Sequence, residues 1–310
     1  IWRFYLNNKP YYVMATLDQG WWPDGLLTPP SEEAMAHDIQ TLKDCGFNMM
    51  RKHIKVEPRR YYHLCDKLGI LVLQDMPSWG TDDRQDLTPE ANARYTHYRL
   101  GLTEMVAALR NHPSVVIFAL LNECGSHKPE CKALVDKLIE TIRKEETGRL
   151  ISFACNVCDK DICHENTDLV AFNSYPGTIP AKPGTPAELR KEVKWTFDST
   201  VKRFRKNYPE KPIIVSESGC GGMFGLRDDN ASINTEDYQN EYLVDIMDAL
   251  WANPDVSGFA IWQMNDGRTR ERFSKGSCST MFGGSIAGCF DIYRRPKSSV
   301  AIVKKYFNEK

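Results

Sequence analysis

Ser114-Val115-Val116-Ile117-Phe118-Ala119-Leu120-Leu121-Asn122 decides the fold. The stretch from Val115 to Leu121 is the longest apolar run in the chain. It is far shorter than the roughly 20 apolar residues that a membrane-spanning helix needs. Rich in β-branched residues and free of polar alternation, it reads as a strand buried on both faces. Pro113 stands just ahead of it, where a missing N–H is tolerated at a strand start. Glu123-Cys124-Gly125 comes at once after it, so the run ends by presenting polar groups.

The same arrangement recurs along the chain. Further strands are expected at Tyr11 to Leu17, Asn48 to Arg51, Ile70 to Asp75, Leu150 to Cys155, Leu169 to Ser174, Pro212 to Glu217 and Gly258 to Met264. Amphipathic stretches lie between them: Ser31 to Cys45, Glu57 to Leu68, Tyr95 to Arg110, Cys131 to Glu145, Ala187 to Tyr208, Thr235 to Trp251 and Ser298 to Phe307. Ser31 followed by Glu33 and Ala34 reads as a helix start with acidic first-turn residues. Eight buried strands alternating with helices predict an α/β fold, a (β/α)8 barrel filling residues 1–310 as one domain. The rival is a doubly wound open sheet. Its nucleotide-binding forms have no support, because no Gly-x-Gly-x-x-Gly and no Gly-Lys-Ser/Thr loop is present.

Composition narrows the function. Of 310 residues, 42% are apolar, 26% charged and 11% aromatic, enough for a large core. Lys and Arg number 40 against 41 Asp and Glu, a net charge of −1. That balance gives no reason to expect a nucleic-acid or membrane partner. Ile1-Trp2-Arg3 is neither an initiator Met nor a signal peptide, so a longer parent chain is expected and the compartment stays open. Ten cysteines in a chain this long are too few for a disulfide scaffold. Cys45, Cys65 and Cys289 sit in apolar runs, where a thiol acts as a small hydrophobe. The cluster Cys155, Cys158, Cys163 and His164 is open to two readings, a zinc set without its usual second pair or a loop with incidental thiols.

In a barrel, chemistry collects at the C-terminal ends of the strands. Those ends here read Asp18-Gln19, Arg51-Lys52-His53, Gln74-Asp75, Asn122-Glu123, Asn173-Ser174-Tyr175, Glu217-Ser218-Gly219 and Trp262-Gln263-Met264-Asn265-Asp266. Glu123 and Glu217 stand out, each placed after a hydrophobic run. A carboxylate so placed loses solvation, which raises its pKa unless a partner offsets it. Two such groups facing one another across a sugar perform glycoside chemistry: one protonates the leaving oxygen and the other attacks the anomeric carbon. Singly, either could instead close a salt bridge with an arginine of a neighbouring strand. A carbohydrate-binding barrel without activity would be expected to lack one carboxylate, and both are present.

Several segments resemble glycoside hydrolase family 2, the β-galactosidase and β-glucuronidase family. They are Gly46 to Arg51, Leu64 to Val72, Arg110-Asn111-His112-Pro113 through Glu123, Ile213 to Gly219, and Arg294-Arg295-Pro296-Lys297-Ser298. The resemblance covers nearly the whole chain. It implies a retaining exo-β-glycosidase with Glu123 as general acid/base and Glu217 as nucleophile, needing no cofactor. It also implies that Asn122 holds the sugar 2-hydroxyl, that Tyr175 sits beside the nucleophile, and that Trp262 floors the sugar ring. Arg51, Asn173, His53, Asp75 and Asp18 complete the expected carbohydrate-binding set. The family places sandwich and immunoglobulin-like domains ahead of its barrel, so such domains are expected partners, with the oligomeric state open.

Departures from the family pattern bear on substrate. The Asn-x-Lys pair that grips a glucuronide carboxylate falls on Ser285 and Ala287, which supply no charge. β-D-galactose is therefore the expected sugar, with glucuronide and mannoside as alternatives and Lys275 or Arg268 as substitute cations. Pro77-Ser78-Trp79-Gly80-Thr81 stands where large β-galactosidases hold magnesium, so no metal is expected, and Asp82 and Asp83 read as a solvated turn. The family's second-strand His falls on Ile54, which leaves His53 either at a rearranged strand end or in the core. Asp75 and Asp18 could bind sugar hydroxyls, cap a helix or pair with Arg51. Trp21-Trp22 could stack on sugar, or cover the core and a missing domain. The glycines after Glu217 form a rim loop, read as ordinary.

Overall fold

The computed structural model describes residues 3–78, 93–146, 148–178, 186–268, 280–281 and 284–309. The strands are β1 (Phe4–Leu6), β2 (Lys9–Tyr11), β3 (Val13–Asp18), β4 (Met49–Lys52), β5 (Leu71–Asp75), β6 (Val115–Asn122), β7 (Leu150–Cys155), β8 (Val170–Asn173), β9 (Ile213–Ser218), β10 (Val256–Ile261), β11 (Gly267–Arg268), β12 (Thr280–Met281) and β13 (Gly284–Ser285). The helices are α1 (Glu32–Asp44), α2 (Arg59–Leu68), α3 (Ala93–Leu109), α4 (Pro129–Glu145), α5 (Pro186–Arg190), α6 (Glu192–Asn207), α7 (Glu236–Ala252) and α8 (Ser298–Asn308). A short 3-10 helix covers Cys163–Asn166.

Strands β3 to β10 pair in parallel around a closed barrel, with β10 returning to β3. The eight expected runs are these eight strands, and the architecture is a (β/α)8 barrel. Each strand feeds two cores. Val13, Ala15, Met49, Leu73, Ile117, Ala119, Leu169, Ala171, Ile214 and Ala260 fill the interior, larger aliphatic side chains alternating with alanines. Met50, Val72, Phe118, Phe172, Val215 and Phe259 point outward into the larger core under the helices. This double burial is why the strands read as continuous apolar runs.

Two expectations need correction. The first barrel strand begins at Val13, because Tyr11 belongs to a hairpin, β1–β2, that the run from Tyr11 to Leu17 did not separate. Asn7 and Asn8 both take positive φ, 51° and 65°, the conformation of a tight hairpin turn. The expected helix from Ala187 to Tyr208 is two, α5 and α6, separated at Lys191. Helix starts fare better: the Ser31 hydroxyl accepts the Ala34 N–H at 3.1 Å, as its position implied.

Two register shifts prepare the site. One lies between Ala119 and Asn122 on β6, the other between Val215 and Glu217 on β9. Alternation alone, counted from inward Ala119 and Ile214, would turn Asn122 and Glu217 outward. A bulge inserts one residue and re-aims the side chains beyond it. Both side chains consequently reach the barrel axis.

Candidate active site

Arg51 is the hub. It shares its strand face with interior Met49, and it is 1% exposed. Its Nε donates to Asp75 at 3.0 and 3.2 Å. One Nη donates to Glu217 Oε1 at 2.8 Å and to the Ser216 carbonyl at 3.1 Å. The other donates to Asn122 Oδ1 at 2.9 Å. One guanidinium thus ties β4, β5, β6 and β9 together, using its planar fork. Burial disfavours its charge, but Asp75 and Glu217 outweigh that and hold its pKa above the usual arginine value.

Glu217 is buried, with Arg51 on one oxygen and the Tyr175 hydroxyl donating to the other at 2.6 Å. Burial and then the Glu217 charge push the Tyr175 pKa well up, so the phenol remains a donor at neutral pH. Glu123, unlike Glu217, is exposed. Asn173 Nδ2 donates to its Oε1 at 2.9 Å. The same amide donates to Asn122 Oδ1 at 3.2 Å, and Asn173 Oδ1 accepts the Ser216 hydroxyl at 2.8 Å. Burial and then the Glu217 charge raise the Glu123 pKa, opposed by the Asn173 hydrogen bond, Arg51 and His53. Glu123 also takes φ of 50°, a left-handed backbone that costs a residue with a side chain about 1–2 kcal/mol. Its N–H donates to the Ala154 carbonyl at 2.8 Å, which helps hold it there.

His53, two residues beyond Arg51, lies on the same side. Its Nδ1 is 2.6 Å from Asp75 Oδ2, and its ring meets Trp262 edge-on with centroids 5.8 Å apart. The offset from the family position therefore does not turn it away from the centre. Burial alone would raise the Asp75 pKa, but Arg51 and His53 hold it below the ordinary value. Tyr175 also meets Trp262 edge-on, with centroids 6.5 Å apart. Gly219 makes this approach possible, because a Cβ there would strike the Trp262 carbonyl oxygen. Gly219→Ala is expected to cost about 1–3 kcal/mol of stability through overpacking and to weaken turnover by shifting Trp262. Urea unfolding and steady-state kinetics check this; a variant equal to wild type in both would remove the glycine's role.

Asp18 stands apart from this group. It forms an ion pair with Lys52, not Arg51, and accepts the Gly20 N–H at 3.1 Å. Lys52 alternates with Arg51 on β4, so it points into the outer core, where it also binds Glu57 at 2.7 Å. Lys52 was not singled out from sequence, although a strand with adjacent cations facing opposite ways needs a carboxylate on each side. Ser216, too, carried no signal that set it apart. Trp22 is buried beneath the Arg294 guanidinium, 4.0 Å from its ring, and Trp21 packs on Gly267. Trp22 therefore has a core role and not a sugar-stacking one.

Ser285 is buried and accepts the Gln263 side chain at 3.0 Å; Ala287 is also buried. Lys297 is spent on Asp266 and the Ile286 carbonyl, and burial still pushes the Asp266 pKa up to about 6. Arg268 donates to the Pro23 carbonyl. Lys275 and the stretch Trp79 to Asp83 lie outside the described residues. His164 is stacked on Phe153, with Nδ1 at 2.8 Å from Asp161 and Nε2 at 3.3 Å from the Ala171 N–H. Both of its nitrogens are engaged, and among the described residues no group of three or more His, Cys, Asp or Glu is placed to hold a metal. Among those residues, too, no helix is long and apolar enough to cross a membrane.

Comparison with known proteins agrees with the barrel fold. The family described as "Glycosyl hydrolases family 2, TIM barrel domain" matches residues 3–309. A β-glucuronidase of Streptococcus agalactiae is 25% identical over 98% of this chain and 51% of its own length. The β-glucuronidase of Homo sapiens is 25% identical over 98% of this chain and 45% of its own. The structure of a family 2 β-galacturonidase from Eisenbergiella tayi bound to galacturonate superposes with a TM-score of 0.83 at 26% identity, covering 98% of this chain and 52% of that one. The chain thus spans about half the length of the curated relatives it matches. These relatives are named for uronic acids, so the expected β-galactose preference finds no support among them. The chain belongs to glycosyl hydrolase family 2 and comprises its TIM barrel domain.

Proposed function

We propose that this barrel hydrolyses a terminal β-linked hexuronic acid with retention of configuration. The observation that supports the reaction is the pair of unlike carboxylates. Glu217 is ion-paired with Arg51, accepts the Tyr175 hydroxyl, and serves as nucleophile. Glu123 has a raised pKa and serves first as acid, then as base. In the first step Glu217 attacks the anomeric carbon while Glu123 protonates the departing oxygen. In the second, Glu123 removes a proton from water as water displaces Glu217. Asn122, held by Arg51 and Asn173, is positioned to bind the 2-hydroxyl, an interaction that strengthens in the oxocarbenium-like transition state. Trp262, edge-on to His53 and to Tyr175, is the side chain expected to floor the sugar ring.

The names of the relatives support a uronide. A neutral hexoside such as β-galactoside is the second reading, favoured by Ser285 and Ala287 and by the pairing of Arg51, Lys52 and Lys297 with carboxylates. Aryl β-glucuronide, β-galacturonide, β-galactoside and β-mannoside, assayed side by side on the full-length protein, separate the two. Turnover of a uronide alone supports the first reading, and turnover of the galactoside alone replaces it with the second.

Glu123 also fixes a pH limb. Its folded pKa is raised, so activity is expected to fall as pH rises through that pKa and the acid loses its proton. Glu123→Gln is expected to lose about 10²–10⁴-fold on substrates with poor leaving groups and far less on activated aryl glycosides. An equal loss on both classes would remove Glu123 from the acid role.

A further inference from the structure

The chain leaving β10 stays beside the end of β3, where the Met264 N–H donates to the Leu17 carbonyl at 2.8 Å. Asp266 turns toward the helix layer, and its carboxylate meets Lys297, the residue that caps α8, at 2.8 Å. Asn265 and Gly267, one residue to either side, pair with Phe290 and Ser285. Alternation gives them the opposite face, which looks into the mouth of the barrel. Trp21, from the loop after β3, lies on that face. A Cβ on Gly267 would be 2.3 Å from Trp21 Cδ1 and 3.0 Å from Nε1, so the indole rests on the glycine itself. Residues i and i+2 of an extended chain are about 7 Å apart. Asn265 is thus the next side chain along from the Trp21 N–H.

Among the described residues, neither polar atom of the Asn265 carboxamide has a hydrogen-bond partner, and the Trp21 indole N–H has none either. All three atoms are buried. A folded protein seldom leaves buried polar groups unpaired, and a carboxamide orphaned at both ends calls for a reason. Asn265 is 4% exposed, no more sealed than Glu217 at 3%, which the proposed reaction uses. Trp21 is half-buried, so part of its ring stays open, whereas Trp22 is buried.

We propose that Asn265 and Trp21 form the subsite that grips the adjacent 3- and 4-hydroxyls of the sugar; this rests on the glycosidase reading above. Position supports it. In the ring of eight strands β10 stands opposite β6, whose end carries Asn122 and Glu123. With Asn122 on the 2-hydroxyl and the leaving group at Glu123, the ring edge farthest from the scissile bond turns toward β10 and β3. Trp262, the expected floor, is three residues before Asn265. The donor count supports it too. Asn265 offers one acceptor and one N–H side by side, and the indole adds a second N–H. Adjacent hydroxyls use all three, since one donates to Oδ1 while the other accepts from Nδ2, and the indole N–H bonds either oxygen. A carboxylate would take the two N–H groups and leave Oδ1 facing an anion. The subsite therefore recognises hydroxyls, which a hexuronic acid and a neutral hexose both carry at C3 and C4.

The test uses the full-length protein, an aryl glycoside that it accepts, and the 3-deoxy and 4-deoxy forms of that glycoside. Asn265→Ala, which loses two hydrogen bonds, should lower kcat/KM on the parent about tenfold or more. Trp21→Phe keeps a ring and loses the N–H, so about three- to tenfold is expected. On the analogue lacking the hydroxyl concerned, wild type should already show the loss and the variant should add little. Equal losses on the parent and both analogues, or none, overturn the subsite. Asn265→Leu removes an amide that no protein group satisfies, so its urea midpoint should equal or exceed that of wild type. A lower midpoint would assign Asn265 to the fold and overturn the proposal. Saturation-transfer NMR with free glucuronic acid, galacturonic acid and galactose needs no turnover. Binding lost in Asn265→Leu, in a protein that hydrolyses no glycoside, would keep the subsite and sink the proposed reaction. Hydrolysis with unimpaired variants would do the reverse, and neither binding nor hydrolysis would sink both.

Discussion

Glu217→Gln is expected to reduce kcat/KM on any accepted aryl glycoside by about 10⁴-fold or more, the scale seen when a covalent nucleophile is removed. The fold should survive, because Gln is nearly isosteric and can still pair with Tyr175 or Arg51. A second variant sharpens the role. In Glu217→Ala, azide can enter the vacated space and attack the anomeric carbon as the aryl oxygen leaves, giving a glycosyl azide of inverted configuration. In Glu123→Ala, azide instead intercepts the covalent intermediate and gives the retained product. Product configuration by NMR therefore assigns each carboxylate separately. Glu217→Gln with more than a tenth of wild-type turnover would end the assignment.

Arg51→Met is expected to be the most destabilising single change, about 3–5 kcal/mol, because it strands Asp75 and Glu217 as buried carboxylates without their cation. Turnover should also fall steeply, since Asn122 loses a partner and Glu217 loses its anchor. Arg51→Lys keeps the charge but not the fork, so it should recover part of the stability and little of the activity. Urea midpoints and kcat for the three proteins check this order. If Arg51→Met unfolds at the wild-type midpoint, the guanidinium is not what binds the four strands.

The barrel was legible because double burial writes each strand as an unbroken apolar run, and Glu123 and Glu217 were legible because polar residues terminate those runs. What escaped had physical reasons. The hairpin at Phe4 to Tyr11 carried its signal in Asn7-Asn8, and its second strand ran into the start of the first barrel strand. Bulges in β6 and β9 leave no mark in composition, yet they decide that Asn122 and Glu217 face the axis. Asp18 had three readings, as a sugar ligand, a helix cap or a partner of Arg51, and it pairs with Lys52 instead, because alternation on β4 gives Arg51 to the interior and Lys52 to the helix layer. The sugar was less legible: Ser285 and Ala287 point to a neutral hexoside, whereas the relatives are named for uronic acids.

The seam between β10 and β3 has a consequence for the chain's birth. Gly258 stands opposite Val13, and a Cβ there would lie 2.5 Å from the Val13 carbonyl oxygen. Thr16 then hydrogen-bonds the Ile261 carbonyl across 245 residues of sequence. A ribosome must extrude the whole span from Val13 to Ile261 before the ring can shut. Until then β3 and β9 offer bare edges that can pair with another nascent chain. Ordering of such distant partners is slow, so the interval before closure is when this molecule most needs a chaperone.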